Sequence, residues 1–217
     1  MASTVPNSGT AAEDVSSPAS VRADRKAQAI VAAARQHFYR DGYAATSVDA
    51  ISRGAGIGKA TIYKHFGSKQ ALFAAVVAQE NRHGLDEIRT ILAGPGAIAG
   101  RLERAGHVLI DLLTAPDFIA SYRMVMSEAT RLPELAALYY TGAAQLLATL
   151  SDSFAALAQA GDLETSHPQR AAEHFVGLIR GDLQLRALLG LDAPVDARDR
   201  AEIVASGVAV FARFYGR

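Results

Sequence analysis

The sequence predicts an all-α protein, with an N-terminal three-helix helix-turn-helix domain followed by a C-terminal helical bundle, about nine helices in total. Three observations carry that prediction. Ala, Leu and Arg dominate, aromatic residues make up only 7% of the chain and β-branched residues rarely occur in runs, so the intrinsic preference is helical almost throughout. Around a glycine cluster near position 55, Val48, Ile51 and later apolar positions recur at helical spacing. Finally, Gly and Pro punctuate the rest of the chain at GPG (94–96), at Ala115-Pro116, at Leu132-Pro133, across 161–168 and across 191–194, which marks out about six helices after the glycine cluster.

With 217 residues, half of them hydrophobic, the chain has enough material for one sizeable core or for a small domain attached to a larger one. There are no cysteines, which excludes disulfides, thiolate metal sites and a cysteine nucleophile and fits a reducing cytoplasm. The longest apolar runs, such as ALFAAVVA (71–78), are far shorter than the ~20 residues of a membrane span, so a soluble, cytoplasmic protein without membrane contact is expected. The opening MASTVPNSGTAAEDVSSPAS has the Ser, Pro, Gly and Ala content of a disordered tail and lacks the basic start and apolar middle of a secretory signal. Residues 1–21 are therefore read as a disordered N-terminal tail.

The formal net charge of zero hides an asymmetry. Positions 22–69 hold nine basic residues against three acidic ones, including all four lysines of the chain, while the remainder is net acidic. Within this basic segment lies RGAGIGKAT (53–61), which invites comparison with a phosphate-binding loop. If Gly58-Lys59 were the GK pair of G-x-x-x-x-G-K-[ST], glycine would stand at 53 and a hydroxyl at 60, but Arg53 and Ala60 stand there. The dinucleotide pattern G-x-G-x-x-G starting at Gly54 fails at Lys59, and both patterns require a preceding strand where TSVDAISR has helical spacing.

A helix, a glycine corner and a second helix account for the same residues. Thr46 or Ser47 caps the first helix, with Asp49 favourable to its dipole, and Gly54, Ala55 and Gly56 allow the left-handed backbone of a sharp corner. On the second helix Ile62 and Phe66 fall on one side. Ala60, Thr61 and Lys64 point the opposite way, flanked by Lys59 and Tyr63. That outer side offers two cations, a hydroxyl, a phenol and a small alanine, a set suited to phosphates and base edges in a major groove.

The run TSVDAISRGAGIGKATIYKHFGSKQALF (46–73) resembles the DNA-binding signature of the TetR/AcrR family of bacterial transcriptional regulators. The matching features are Ala55-Gly56 at the corner, Thr61-x-Tyr63-x-His65-Phe66 on the recognition helix, and Ser68-Lys69 opening the next helix ahead of Leu72 and Phe73. Upstream, IVAAARQHFYRDGYAATS resembles the family's first helix, with Ile30, Ala33, Ala34 and Phe38 as its buried stripe and Gly42 closing it. The resemblance implies a helix-turn-helix DNA-binding domain over 22–67 and a ligand-binding and dimerisation domain over 68–217. It also implies site roles: Thr46 and Ser47 at phosphate or helix-entry contacts, Lys59 and Ala60 at base edges, Thr61, Tyr63 and His65 at backbone phosphates, Lys64 at base or phosphate, and Lys69 at a phosphate beside a helix N-terminus. Packing or capping is the alternative role for His65 and Tyr63, and Asp49, with no obvious cation to face, is kept as a cap.

Among the bundle helices, Asp196 precedes the last helix and Ser166 precedes a first-turn Pro168, each a plausible cap. The segment QRAAEHFVGLIRGDLQLRALLGL (169–191), which resembles a C-terminal helix of some of these regulators, reads as one helix with two apolar stripes: Phe175, Leu178, Leu185 and Leu189, and Val176, Ile179 and Leu183. Gly177 and Gly181 in such a helix suggest close backbone approach, and the last helix is apolar on several sides through Ile203, Val204, Val208, Phe211 and Phe214. The pair is read as a homodimer interface, a buried monomeric core being the alternative. A small-molecule effector site between bundle helices would draw on His107, Asp111, Tyr122, Arg123, Met126, Tyr139, Tyr140 and His174. No G-x-S-x-G or H-E-x-x-H motif occurs and the six histidines are scattered, so no metal, cofactor or catalytic constellation is expected. Three functions stay open: a ligand-released repressor on a palindromic double-stranded DNA operator, a DNA-binding regulator without a ligand, and a helical enzyme carrying a corner motif.

Overall fold

The computed structural model describes residues 18–191 and 197–216, and every element in it is an α-helix. Ten helices follow in order: α1 (Pro18–Asp41), α2 (Val48–Ala55), α3 (Lys59–Phe66), α4 (Lys69–Ala93), α5 (Ile98–Thr114), α6 (Pro116–Glu128), α7 (Pro133–Ala160), α8 (Pro168–Arg180), α9 (Leu183–Leu189) and α10 (Ala197–Tyr215). Proline opens α6, α7 and α8 at their first turn, where its missing N–H costs nothing, so the breaks read at Pro116, Pro133 and Pro168 fall at helix starts, while Pro95 lies in the turn before α5. Among the described residues no helix is long and apolar enough to cross a membrane.

The count exceeds the expected nine because 169–191 is two helices. Gly181 takes φ 49°, ψ −135°, ends α8 and lets α9 leave in a new direction. The turn destroys the predicted stripes: Phe175, Ile179 and Leu183 are buried, whereas Leu185 and Leu189 are 58% and 63% exposed. Close helix approach is instead made by two other glycines. A Cβ on Gly207 of α10 would lie 3.1 Å from the Leu178 carbonyl oxygen of α8, and one on Gly106 of α5 would lie 2.9 Å from Val204 Cγ1. Ser166 is not the cap of α8; His167 holds that position, and its N–H donates to Thr165 Oγ1. Asp196, the 191–194 break and residues 1–17 of the predicted tail fall wholly or partly outside the described residues, while α1 begins at Pro18.

Two apolar cores share α4. Leu72, Phe73, Val76 and Val77 join Ile30, Ala34, Phe38, Tyr43, Ile51 and Ile62 in the N-terminal core, which also takes in Met124, Val125 and Leu135 from α6 and α7. Further along α4, Leu85, Ile88 and Leu92 enter the larger core with α5, α7, α8 and α10, centred on Phe154, Phe175 and Phe211. The far end of α4 is anchored by buried Arg101, which donates to the Leu92 and Gly94 carbonyls and pairs with Asp162. One helix therefore joins the N-terminal core to the bundle core.

Candidate nucleic-acid interface and effector cavity

The corner forms because three local devices agree. Ser47 caps α2, its Oγ accepting from Ala50 N at 3.1 Å; Gly56 turns the chain at φ 64°; and Ser52 Oγ donates to the Ile57 carbonyl at 2.7 Å. Gly54, expected to share the left-handed turn, stays helical. Its lack of a side chain instead makes room for His37 of α1, whose Nε2 lies 2.9 Å from where a Cβ would stand. Helix α3 starts at Gly58 with no side-chain cap.

Ile62 is buried and Phe66 packs on the N-terminal core, so α3 is held by the side expected from its spacing. Lys59, Ala60, Tyr63, Lys64 and His65 are exposed, Tyr63 by 43%, and Thr61 is half-buried beside them. Ser47 is exposed at the neighbouring helix start. Of the two roles implied for Thr46, phosphate or helix-entry contact, its position matches the second. The residue is 2% exposed, and its hydroxyl donates to the His37 and Gly42 carbonyls, fastening the end of α1 to the entry of α2.

Two lysines carry unforeseen partners. Lys59 Nζ lies 2.9 Å from Asp49 Oδ2, so Asp49 does face a cation, and that pairing pushes the Lys59 pKa up. Lys69 Nζ sits 4.4 Å over the Tyr43 ring and donates to the Ala44 carbonyl; burial lowers its pKa, with Glu128 acting in the opposite sense. Lys64 forms no ion pair with another described residue.

A space of about 170 Å³ lies within the bundle, bounded by α4 to α9. Phe118, Tyr122 and Tyr139 supply its aromatic walls, Leu113, Leu146 and Val176 line it elsewhere, and Arg180 and Gln184 contribute polar groups. Only Tyr122 and Tyr139 of the eight predicted ligand residues belong to it. Asp111 is paired with Arg200, Arg123 donates to the Ala187 and Leu188 carbonyls at the end of α9, and Met126 and Tyr140 are 61% and 72% exposed. His107 is half-buried away from this space, and His174 bonds Tyr215 Oη on the outer α8/α10 surface. Phe118, Val176, Arg180 and Gln184 were missed, because their convergence depends on long-range packing that no local spacing announces. Phe118 and Leu112 also bound a second space of about 340 Å³ that reaches Arg35 of α1 and Asp117.

Comparison with known proteins converges on one family. Residues 30–76 match the model described as bacterial regulatory proteins, tetR family, and residues 100–217 match that of the AefR-like transcriptional repressor, C-terminal domain. The chain is similar to the HTH-type transcriptional regulator UidR of Escherichia coli (strain K12), 28% identical over 109 residues, 50% of this chain and 54% of that protein. It thus spans about half the length of that curated relative. Among solved structures it is similar to a TetR-family transcriptional regulator from Mesorhizobium loti MAFF303099, with TM-score 0.78, 28% identity, and coverage of 90% of this chain and 99% of the other. It is also similar to the flavonoid-responsive regulator FrrA, with TM-score 0.70, 30% identity, and coverage of 89% and 98%.

Proposed function

The chain belongs to the TetR family of bacterial transcriptional regulators, and from that premise we propose that it is a homodimeric repressor released from a palindromic operator by a small-molecule effector. It is a DNA-binding regulator and not an enzyme. In this reading residues 22–67 form the DNA-binding unit and 68–217 the ligand-binding and dimerisation unit, with α4 common to both. A protein that acts on the chromosome works in the cytoplasm.

The observation that carries the reading is the outer face of α3, where Lys59, Ala60, Tyr63, Lys64 and His65 stand exposed on a short helix held from behind by Ile62. Thr61, Ser47 and Lys69 flank that face as further phosphate contacts. Dimerisation is supported by an apolar groove between α8 and α10, where Val210 and Phe214 are 54% and 76% exposed and nothing lies within 4 Å of a Cβ on Gly177. A second copy packed there sets two recognition helices for successive major grooves about 34 to 36 Å apart, or a multiple of that. Release follows if an effector in the α4–α9 space favours a tilt of α4 that spoils this spacing.

The test is operator binding as a function of salt. Tyr63→Ala and Lys64→Ala weaken it while leaving folding and dimerisation intact, and Lys64→Ala lowers the salt slope by about one if its contact is a phosphate. Full operator affinity in both variants would remove α3 from the reading.

A further inference from the structure

The space bounded by α4 to α9 is specific in size, wall chemistry and charge. Its volume of about 170 Å³ is close to that of an apolar cavity of about 150 Å³ that takes up benzene, so it has room for one ring rather than several. Its aromatic side chains are already arranged for ring contact: Tyr122 and Tyr139 meet edge to face with centroids 5.8 Å apart, and Phe118 lies 6.4 Å from Tyr139.

Charge sharpens this. Arg180 is the only ionic residue among those lining the space. No carboxylate among the described residues pairs with it. It stands exposed in the last turn of α8, at the border of the space. A lone guanidinium beside a largely apolar pocket repels a cationic ligand and offers a planar pair of donors to a carboxylate.

We infer that this site takes a single-ring aromatic carboxylic acid, its ring among Phe118, Tyr122 and Tyr139 and its carboxylate on Arg180. The inference rests on the reading of this space as the effector site. It distinguishes this chain from what the name of the flavonoid-responsive relative says of that protein, since a three-ring flavonoid exceeds the available volume.

The experiment is calorimetric titration of the full chain with benzoate, 4-hydroxybenzoate, the neutral isostere benzamide and the flavonoid naringenin, repeated on Arg180→Gln and Arg180→Lys after matching their thermal midpoints to wild type. The acids bind wild type, bind Arg180→Gln about tenfold or more weakly, and recover much of that loss in Arg180→Lys. Benzamide binds wild type less tightly than benzoate and is indifferent to Arg180→Gln, and naringenin binds less tightly than the acids. Equal acid affinity in wild type and Arg180→Gln, benzamide binding as tight as benzoate, preference for naringenin, or no acid binding at all would each overturn the proposal. Operator release is read separately with the same acids. An acid that binds through Arg180 yet leaves the protein on DNA upholds the ligand class and sinks the release reading instead.

Discussion

At the scale of single residues, the end of α1 shows how local charge sets a titration. Arg40 grips Asp41 with two bonds of 2.7 Å and His37 adds a contact of 3.3 Å, and these hold the Asp41 carboxyl down at about 2. A depressed acid favours the folded state above its unfolded pKa of about 3.9 and loses that contribution as pH falls through the folded value. Arg40→Ala therefore raises the Asp41 pKa toward the ordinary carboxylate range in a carboxyl NMR titration. An unchanged value would deny Arg40 the leading part. Adjacent in sequence, this pair was open to inspection; the Lys59–Asp49 pair was not, because ten residues and a corner separate its members and only the angle between α2 and α3 brings them together.

At the scale of elements, what could be read from the sequence was whatever local chemistry decides. The glycine corner, the Pro-opened helices and the packed side of α3 are of that kind. The break at Gly181 is not, since a glycine inside a helix and one that ends it with positive φ look alike among strong helix formers. The proposed effector space was only partly legible for a related reason: Tyr122 and Tyr139 announce themselves as half-polar aromatics in bundle helices, whereas Arg180 joins the same lining from the last turn of α8, where long-range packing places it. Helix α6 then supplies a route not evident before. Phe118 lines the proposed effector space, and its neighbour Asp117 pairs with Arg35 of α1 at 2.9 Å. A ligand that displaces Phe118 thus strains a direct tie to the DNA-binding unit. Asp117→Asn leaves ligand affinity for free protein nearly unchanged but reduces the effect of ligand on operator binding. Because an exposed pair contributes about 1 kcal/mol at most, the reduction is no more than about fivefold. Identical coupling in the variant, measured from ligand titrations with and without operator, would confine transmission to α4.

At the scale of the whole molecule, the proposed dimer ties operator affinity to symmetry. Phe214→Asp puts a charge into the groove between α8 and α10, so light scattering shows the single-chain mass and tight operator binding is lost with the second half-site. A variant that stays dimeric would move the interface elsewhere. Gly181, read from the sequence as a point of close backbone approach, serves such a test poorly, since a side chain there strains the α8–α9 turn before it meets a partner. The Lys59–Asp49 pair has a consequence at this scale too, in how the regulator searches a chromosome. Asp49 acts as an internal counter-ion, so the pair presents less net charge to random phosphate than a lone lysine would. On a genome of competing sites the ratio of specific to non-specific binding matters more than either affinity alone. Asp49→Asn frees that cation and tightens binding to random DNA more than to the operator, steepening the salt dependence on both. The mutant then spends more of its time on the wrong sequence, and its occupancy of the right one falls although its contacts there are stronger.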